Sequence, residues 1–389
     1  MANPFTEEHK AFRKLVRDFA EKELAPHMDE WEKDELFPNW VFQRAGELGI
    51  LGAHYPEEVG GAGGDFWMNV VMSEELPRCG SAGLPMGLLV QSSMATPCIA
   101  DLGTDEQKKE FLEPALKGEK IVALGVSEPG AGSDVAGLRT TAIKDGDDYV
   151  INGSKTYITN GTRADFVTLM VKTDPEAGHN GISIILCPTD VKGFGVSKKL
   201  EKAGNWCSDT AELFFEDVRV PQRYLLGKEG MGFMYLMQNF QSERLVGCTS
   251  ALAGSKHALD RSVAWGRERT AFGKPLIKRE YWKQKFADLY TQYEAGLALS
   301  YKACEAYNEE KYVKKGMVSM ETTKLISMAK VFVGETTGEI MDQCVQFHGG
   351  MGYLEELWVA RAWRDQRLIR IGGGTTEVMR YAIAKLLGF

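Results

Sequence analysis

One carboxylate, Glu243, lies within an otherwise apolar helical pattern. The spacing aligns it on one helix face with Leu236, Phe240 and Gly247. A carboxylate in an apolar stripe is unfavourable unless it is paired or has a function. Burial raises the pKa of a carboxylate, which makes its ionised form a stronger base for proton abstraction near neutral pH. The alternative is a glutamate on an exposed helix surface, which is the usual location of this residue type.

Two glycine-rich segments could bind phosphate groups. Residues 125–137 read GVSEPGAGSDVAG, and residues 346–352 read QFHGGMG. Glycines allow a backbone to approach a ligand closely, and loop N–H groups and serine hydroxyls can donate to phosphate oxygens. Each segment alone is also compatible with an ordinary loop.

Two further segments carry residues suited to a planar or charged ligand. Residues 267–274 read RERTAFGK, in which Arg269 offers a two-donor fork for phosphate and Phe272 an apolar wall. Residues 155–161 read KTYITNG, in which Tyr157 offers an aromatic face. The alternatives are a solvated charge run at a helix end and a routine strand with alternating faces.

Composition excludes several classes of function. The formal net charge of −8 argues against a general binder of nucleic acid. The 7 scattered cysteines show no C-x-x-C spacing, which predicts a reducing compartment and no metal site. No segment resembles a signal peptide or a membrane span, and no G-x-G-x-x-G follows an early strand. We therefore expect a cytoplasmic protein if the chain is bacterial, or a mitochondrial matrix protein if it is a processed eukaryotic chain.

The elements that must position these residues follow in three blocks. Helical spacing dominates residues 1–120, where Thr6 is placed to cap the first helix. Short runs rich in β-branched and aromatic residues occupy 121–230, with turns predicted at 146–148, at Asn152-Gly153 and at Asn160-Gly161. Helical spacing returns over 231–389. The pattern predicts an α+β protein with a helical domain, a β domain and a second helical domain.

Taken together and in this order, segments 125–134 and 346–353 resemble two signatures of the acyl-CoA dehydrogenase family. The resemblance covers essentially the whole chain. It implies an N-terminal helical domain, a middle antiparallel β-sheet domain and a C-terminal four-helix bundle. It also implies FAD as the cofactor, an acyl-CoA substrate, an electron-transferring flavoprotein as electron acceptor, and a homotetramer.

The resemblance assigns residues to the cofactor. Tyr157 would pack on the isoalloxazine ring, where the family more often has Trp, and Thr159 would bond near N5. Glu280 stands nearest to an expected glutamine, and Glu377 takes a place where glutamine is common. The implied cofactor-binding residues are Val126, Ser127, Gly132, Ser133, Tyr157, Thr159, Arg269, Phe272, Gln346, Gly349, Gly350, Thr375 and Glu377.

The loop that carries the catalytic glutamate in most of the family reads IGGGT at 371–375, with Gly373 in the place of the base. The isovaleryl-CoA and long-chain acyl-CoA dehydrogenases instead carry Glu-Arg-Leu on the helix and Gly or Ala on the loop. This chain has Glu243-Arg244-Leu245 together with Gly373 and so resembles that type. The resemblance implies that Glu243 abstracts the α-proton of the thioester, that the β-hydride goes to flavin N5, and that the Gly373 N–H receives the thioester oxygen.

The resemblance also suggests a substrate region. Leu89, Ser93 and Met94 would wall the acyl pocket, and Arg244 would stabilise the site or approach the CoA; ordinary packing and a surface arginine are the alternatives. We expect a medium-chain, long-chain or branched aliphatic acyl-CoA. Two other functions remain open: a flavin oxidase of the same fold, acting on acyl-CoA or nitroalkanes, and a non-catalytic assembly protein that binds FAD or acyl-CoA.

Overall fold

The N-terminal part of the chain is helical in the computed structural model, which describes residues 4–389. Thr6 caps the first helix as predicted, because its hydroxyl accepts from the His9 N–H. That helix ends at Asp18, and a wider helical turn, Phe19–Leu24, continues the chain to the region of Pro26. The helices of this part are α1 (Glu7–Asp18), α2 (Met28–Asp34), α3 (Trp40–Glu47), α4 (Phe66–Glu75), α5 (Gly83–Leu89), α6 (Pro97–Leu102), α7 (Asp105–Gln107) and α8 (Glu113–Leu116).

The middle part of the chain forms one sheet. Its strands are β1 (Val122–Gly125), β2 (Thr141–Asp145), β3 (Asp148–Thr159), β4 (Phe166–Lys172), β5 (Ile182–Pro188), β6 (Phe194–Lys199), β7 (Thr210–Pro221) and β8 (Leu225–Leu226). The strand order is β6-β7-β3-β2-β4-β5-β8, and β1 pairs with β4. Most neighbours are antiparallel as predicted, but β1 and β2 run parallel to β4, so the sheet is mixed.

The predicted turn at Asn152-Gly153 is wrong, because both residues lie inside strand β3. The register between β3 and β7 shifts at Gly153, whose φ of 148° marks a β-bulge. A β-carbon there would lie 2.5 Å from the Thr140 hydroxyl oxygen, so glycine is needed for close packing rather than for chain reversal. The turn predicted at Asn160-Gly161 is correct, since β3 ends at Thr159 and Asn160 has a φ of 64°.

The C-terminal part of the chain is a bundle of helices. Its elements are α9 (Gly232–Glu268), β9 (Thr270–Ala271), β10 (Lys274–Pro275), α10 (Glu280–Asn308), α11 (Met320–His348), α12 (Trp358–Gln366) and α13 (Thr376–Leu386). The long helices α9, α10 and α11 pack against one another, and α13 packs on α11. No helix among residues 4–389 combines the length and the apolar character needed to cross a membrane.

One wide helical turn, Val90–Ala95, connects the three parts of the molecule. Such a turn frees carbonyl groups that need new donors. Asn239 and Ser242 of α9 donate to two of these carbonyls at 2.7 and 3.0 Å. Thr168 of β4 donates to a third at 2.9 Å. These bonds fix the first half of α9, which carries Glu243, against both the N-terminal helices and the sheet.

Candidate active site

Glu243 does not lie on an exposed helix surface. Protein atoms surround its side chain, which nevertheless keeps a partly accessible surface. Burial raises the pKa of the Glu243 carboxyl, and the positive charges of Arg244 and Lys330 oppose that shift without cancelling it. No hydrogen-bond donor within residues 4–389 pairs with this carboxylate, which leaves its oxygens available to a proton donor.

The carboxylate of Glu243 lies against Gly373. A β-carbon built at Gly373 would lie 3.0 Å from Oε1 of Glu243, closer than side chains normally approach. Gly373 also has a φ of 65°, a conformation that side chains other than glycine adopt at a cost. The helix carboxylate therefore occupies the space that a side chain on the loop would need.

Arg244 holds the loop from the same helix. Its Nε donates to the Gly373 carbonyl oxygen at 3.1 Å. The residue is buried, and burial lowers the pKa of its guanidinium. Arg244 is thus not a surface arginine, and its observed contact is with the loop backbone.

Lys330 on α11 is a site residue that sequence reasoning missed. It is buried, and its Nζ donates to the carbonyls of Ile369 and Gly374 at 3.1 and 2.7 Å. Burial lowers the pKa of this ammonium group. The available signal was a lysine inside an apolar helical stripe with Ile326 and Val333, the same kind of signal that drew attention to Glu243.

The loop leaves a backbone donor free beside the carboxylate. Among residues 4–389, no acceptor pairs with the N–H of Gly373, whereas the Gly373 carbonyl is bonded to Arg244. A free N–H can donate to an oxygen that gains negative charge during a reaction. After the loop, Thr375 caps α13 by accepting from the Val378 N–H at 3.3 Å, and Glu377 is exposed in the first turn.

The first glycine-rich segment is joined directly to β3. Its turn closes through paired backbone bonds of 3.0 Å between Glu128 and Ala131. The Lys155 ammonium donates to the Val126 carbonyl at 3.0 Å, and the Thr156 N–H donates to the Ser127 carbonyl at 2.9 Å. These bonds place Lys155 and Thr156, which directly precede Tyr157, beside Val126 and Ser127.

Tyr157 is not part of a routine strand. The pairing of β3 with β7 shifts between Lys155 and Ile158, and Tyr157 has a φ of 62°. Its side chain is 70% exposed, although Ile158 next to it is buried. A strained backbone that presents an aromatic ring to solvent is typical of a ligand-binding position.

A buried ion pair supports the same segment and was also missed from the sequence. Lys155 Nζ lies 2.8 Å from Oε1 of Glu128, and both side chains are buried. Burial lowers the pKa of Lys155 to about 8, while for Glu128 the lysine and two backbone donors outweigh burial and lower the pKa. Those donors are the Arg139 and Thr140 N–H groups, at 2.6 and 3.0 Å from the carboxylate.

The second glycine-rich segment and the RERTAFGK segment meet at the end of the bundle. Trp265 near the end of α9 lies 4.5 Å from His348 near the end of α11, measured between ring centroids. Gln346, Gly349 and Gly350 lie close to His348 in the sequence and are exposed. Arg269, which directly follows α9, is exposed as well. Phe272 occupies the tip of the β9–β10 hairpin with a φ of 49° and is 95% exposed.

Three family models match the chain in succession. They are the acyl-CoA dehydrogenase N-terminal domain over residues 6–119, the middle domain over 123–218, and the C-terminal domain over 230–388. The chain belongs to the acyl-CoA dehydrogenase family. Acyl-CoA dehydrogenases are FAD-dependent oxidoreductases of fatty acid oxidation, so the predictions of the family, the enzyme class and the cofactor are confirmed.

Relatives of different chain-length specificity resemble this acyl-CoA dehydrogenase. The mitochondrial long-chain specific acyl-CoA dehydrogenase of Sus scrofa is 39% identical over 98% of this chain and 86% of its own length. The structure of an acyl-CoA dehydrogenase from Geobacillus kaustophilus matches with a TM-score of 0.94 at 39% identity, and covers 100% of both chains. The butyryl-CoA dehydrogenase of Megasphaera elsdenii matches with a TM-score of 0.94 at 35% identity over 100% of both chains.

The residues present in this acyl-CoA dehydrogenase fit FAD. A β-carbon added at Gly130, Gly132 or Gly350 would meet nothing within 4 Å, and none of these residues has a positive φ, so the chain's own packing does not require glycine there. Open glycine-rich backbone suits the pyrophosphate of a dinucleotide. The exposed ring of Tyr157 and the hydroxyl groups of Ser127 and Ser133 add a stacking face and donors.

Of the residues expected to wall the acyl pocket, Ser93 and Met94 lie in the wide turn Val90–Ala95, and Leu89 directly precedes it. Leu89, Ser93 and Met94 are all buried. Ser93 donates its hydroxyl to Oδ1 of Asn69 at 2.8 Å and accepts from the Ser242 hydroxyl through its carbonyl. Ser242 directly precedes Glu243, so the turn and the carboxylate are linked through one hydrogen bond.

Proposed function

We propose that this acyl-CoA dehydrogenase uses Glu243 to remove the α-proton of a medium-chain, long-chain or branched aliphatic acyl-CoA, which yields the trans-2-enoyl-CoA. The observation that supports this proposal is the position of the Glu243 carboxylate against Gly373, where a side chain on the loop would lie. A buried carboxylate with a raised pKa and no donor of its own is suited to accept a proton.

In this mechanism the loop provides the hydrogen-bond donor and the helix provides the base. The free Gly373 N–H donates to the thioester oxygen as that oxygen gains negative charge, which makes the α-proton more acidic. Glu243, on the helix, accepts that proton, and burial raises the pKa of its carboxyl, which makes it a stronger base. Bound FAD supplies the acceptor for the β-hydride. Arg244 keeps the Gly373 peptide in place through its bond to the carbonyl.

The place of the base supports the proposed substrate class. A carboxylate on α9 takes the space that a loop side chain would fill, so it approaches the Cα atom of the thioester from another direction than a base on the loop would. The helix glutamate occurs here together with 39% identity to a relative named for long-chain substrates. Leu89 and Met94, both buried beside the wide turn, are the proposed apolar wall, and Ser93 lies between them.

We further propose that a second copy of this chain completes the FAD-binding site in a homotetramer. Phe272, Arg269 and the Gly349-Gly350 backbone are exposed at one end of the bundle, where the chain's own packing leaves them uncovered. An aromatic side chain at a hairpin tip with a strained φ is suited to contact a partner subunit. An electron-transferring flavoprotein is the proposed electron acceptor, in the bacterial cytoplasm or the mitochondrial matrix.

The test is anaerobic mixing of the purified FAD-loaded protein with butyryl-, octanoyl-, palmitoyl- and isovaleryl-CoA. The proposal expects flavin absorbance to bleach, enoyl-CoA to form in equal amount, and the longer or branched thioesters to react fastest. Rapid peroxide release in air would favour an oxidase, and the absence of bleaching with every thioester would favour a non-catalytic binding protein. Fastest reaction with butyryl-CoA would contradict the proposed substrate class.

A further inference from the structure

Lys330 closes the loop that lies beside Glu243. Its ammonium group bonds the carbonyls of Ile369 and Gly374, which lie at the two ends of the loop. Between them, Gly372, Gly373 and Gly374 form a run with little intrinsic stiffness, and ordering glycine costs more conformational entropy than ordering any other residue. The three glycines do not restrict the conformation of this segment, whereas a charged donor that bonds to both of its ends does.

The same lysine adjoins the carboxylate. Its Cε lies 3.5 Å from the position of a β-carbon at Gly373, the point that Glu243 Oε1 approaches to 3.0 Å. Lys330 is 3% exposed, so water does little to screen its charge. The charges of Arg244 on α9 and Lys330 on α11 lower the pKa of Glu243, against the larger effect of burial. Besides burial, Cys248, Arg244 and Glu243, all on α9, shift the pKa of Lys330.

We propose that Lys330 is a positioning residue for proton abstraction: its ammonium group holds the Ile369–Gly374 loop closed and provides a counter-charge to Glu243 from the opposite helix. The inference rests on the proposed role of Glu243 and deepens it. Lys330 bonds to the loop backbone, so it acts through Glu243 and through the Gly373 N–H. Two of its three N–H donors are used by the loop carbonyls.

Removing the charge of Lys330 should shift the pH dependence of flavin reduction, which would not change if the lysine only stabilised the fold. In Lys330→Met the carboxylate loses a counter-charge, so a higher pH is needed to ionise it. The pH at half-maximal rate of flavin reduction should rise by about one unit, as expected for loss of a nearby opposite charge. Lys324→Met is the control, because Lys324 lies on the same helix but pairs with Glu321 at 2.6 Å on the exposed side.

A second measurement needs neither FAD nor substrate. The N–H groups of Ile371 and Gly372 bond to the Leu368 carbonyl at 2.8 and 2.9 Å. In Lys330→Met apoprotein, their hydrogen exchange should be at least about tenfold faster than in wild type, because the loop opens more often. Lys330→Gln retains an amide donor without a charge, so it should show the pH shift with a smaller change in exchange.

The outcomes separate this proposal from the proposed function. An unchanged pH midpoint or an unchanged exchange rate in Lys330→Met overturns the positioning role. If Glu243→Gln reduces flavin as fast as wild type does, the proposed function itself is wrong, whatever Lys330 does. If Glu243→Gln abolishes the rate while Lys330→Met keeps the wild-type midpoint, only the positioning role is wrong.

Discussion

Oε1 of Glu243 lies 3.0 Å from the place that a β-carbon would take at Gly373. The two positions are separated by more than a hundred residues of sequence, yet they compete for one volume. A carboxylate at this place on the helix therefore favours a small residue on the loop, and this steric dependence gives a physical reason for the paired substitution that distinguishes this chain from most of its family.

The first prediction concerns that volume. Gly373→Ala should slow flavin reduction by about threefold to tenfold, because the new methyl group would meet Oε1 of Glu243 at 3.0 Å and shift the carboxylate by less than the displacement of about 1 Å that costs about 100-fold. Gly372→Ala is the matched control, since its β-carbon would meet its nearest neighbour, a Leu368 carbon, at 3.8 Å. Equal rates for the two variants would show that the contact at Gly373 has no functional importance.

The second prediction concerns pH. The ionised form of Glu243 is the base, and burial raises its pKa, so the rate of flavin reduction should increase with pH through a midpoint above that of an exposed glutamate. The rate is lost as the pH falls and the carboxylate is protonated. Stopped-flow rates from pH 5 to pH 9 would measure this midpoint, and the same rising limb in Glu243→Gln would assign it to another group.

The third prediction concerns Tyr157. Tyr157→Ala should weaken FAD binding by about tenfold, since an aromatic stacking contact contributes about 0.5–1.5 kcal/mol beyond its buried area. Tyr157→Phe keeps the ring and should bind FAD nearly as tightly as wild type. Titration of the apoprotein with FAD, followed by flavin fluorescence, measures both affinities. An alanine variant with wild-type affinity would exclude a stacking role.

The fourth prediction concerns the buried pair of Lys155 and Glu128. Lys155→Met leaves a buried carboxylate without its counter-ion, so the free energy of unfolding should fall by about 3–5 kcal/mol. The control is Lys144→Met, which breaks the exposed pair of Lys144 and Glu229 and should cost less than about 1 kcal/mol. Urea unfolding followed by tryptophan fluorescence measures the two losses. Similar losses would mean that the buried pair does not stabilise the segment.

Local sequence pattern predicted the elements and the lone helix carboxylate, because helical spacing and β-branched runs are local properties. It did not predict the parallel pairing of β1 with β4 or the bulge at Gly153, since both depend on which distant strand lies alongside. Lys155 and Lys330 were missed for the same reason. Each is buried by partners that are distant in sequence, and only Lys330 carried a local signal, which was its place in an apolar helical stripe with Ile326 and Val333.

The pairing of Glu243 with Gly373 was foreseen only through resemblance to a family, whereas the structure supplies its steric cause. The strained backbone at Tyr157 was not foreseen, although the residue itself was expected to bind the flavin. A tyrosine in a run such as TYIT gives no local sign of a positive φ, because the bulge arises from the pairing of β3 with β7.

The rate of flavin reduction in FAD-loaded Glu243→Gln, measured by anaerobic stopped flow with palmitoyl-CoA, tests the role of Glu243 most directly. Loss of a general base should slow this step by about 100-fold to 10,000-fold while FAD content and unfolding stability stay at the wild-type level. Glu294→Gln, on the exposed surface of α10, should react as fast as wild type. A Glu243→Gln protein that reduces its flavin within about threefold of the wild-type rate, well short of that general-base contribution, would show that another group removes the proton.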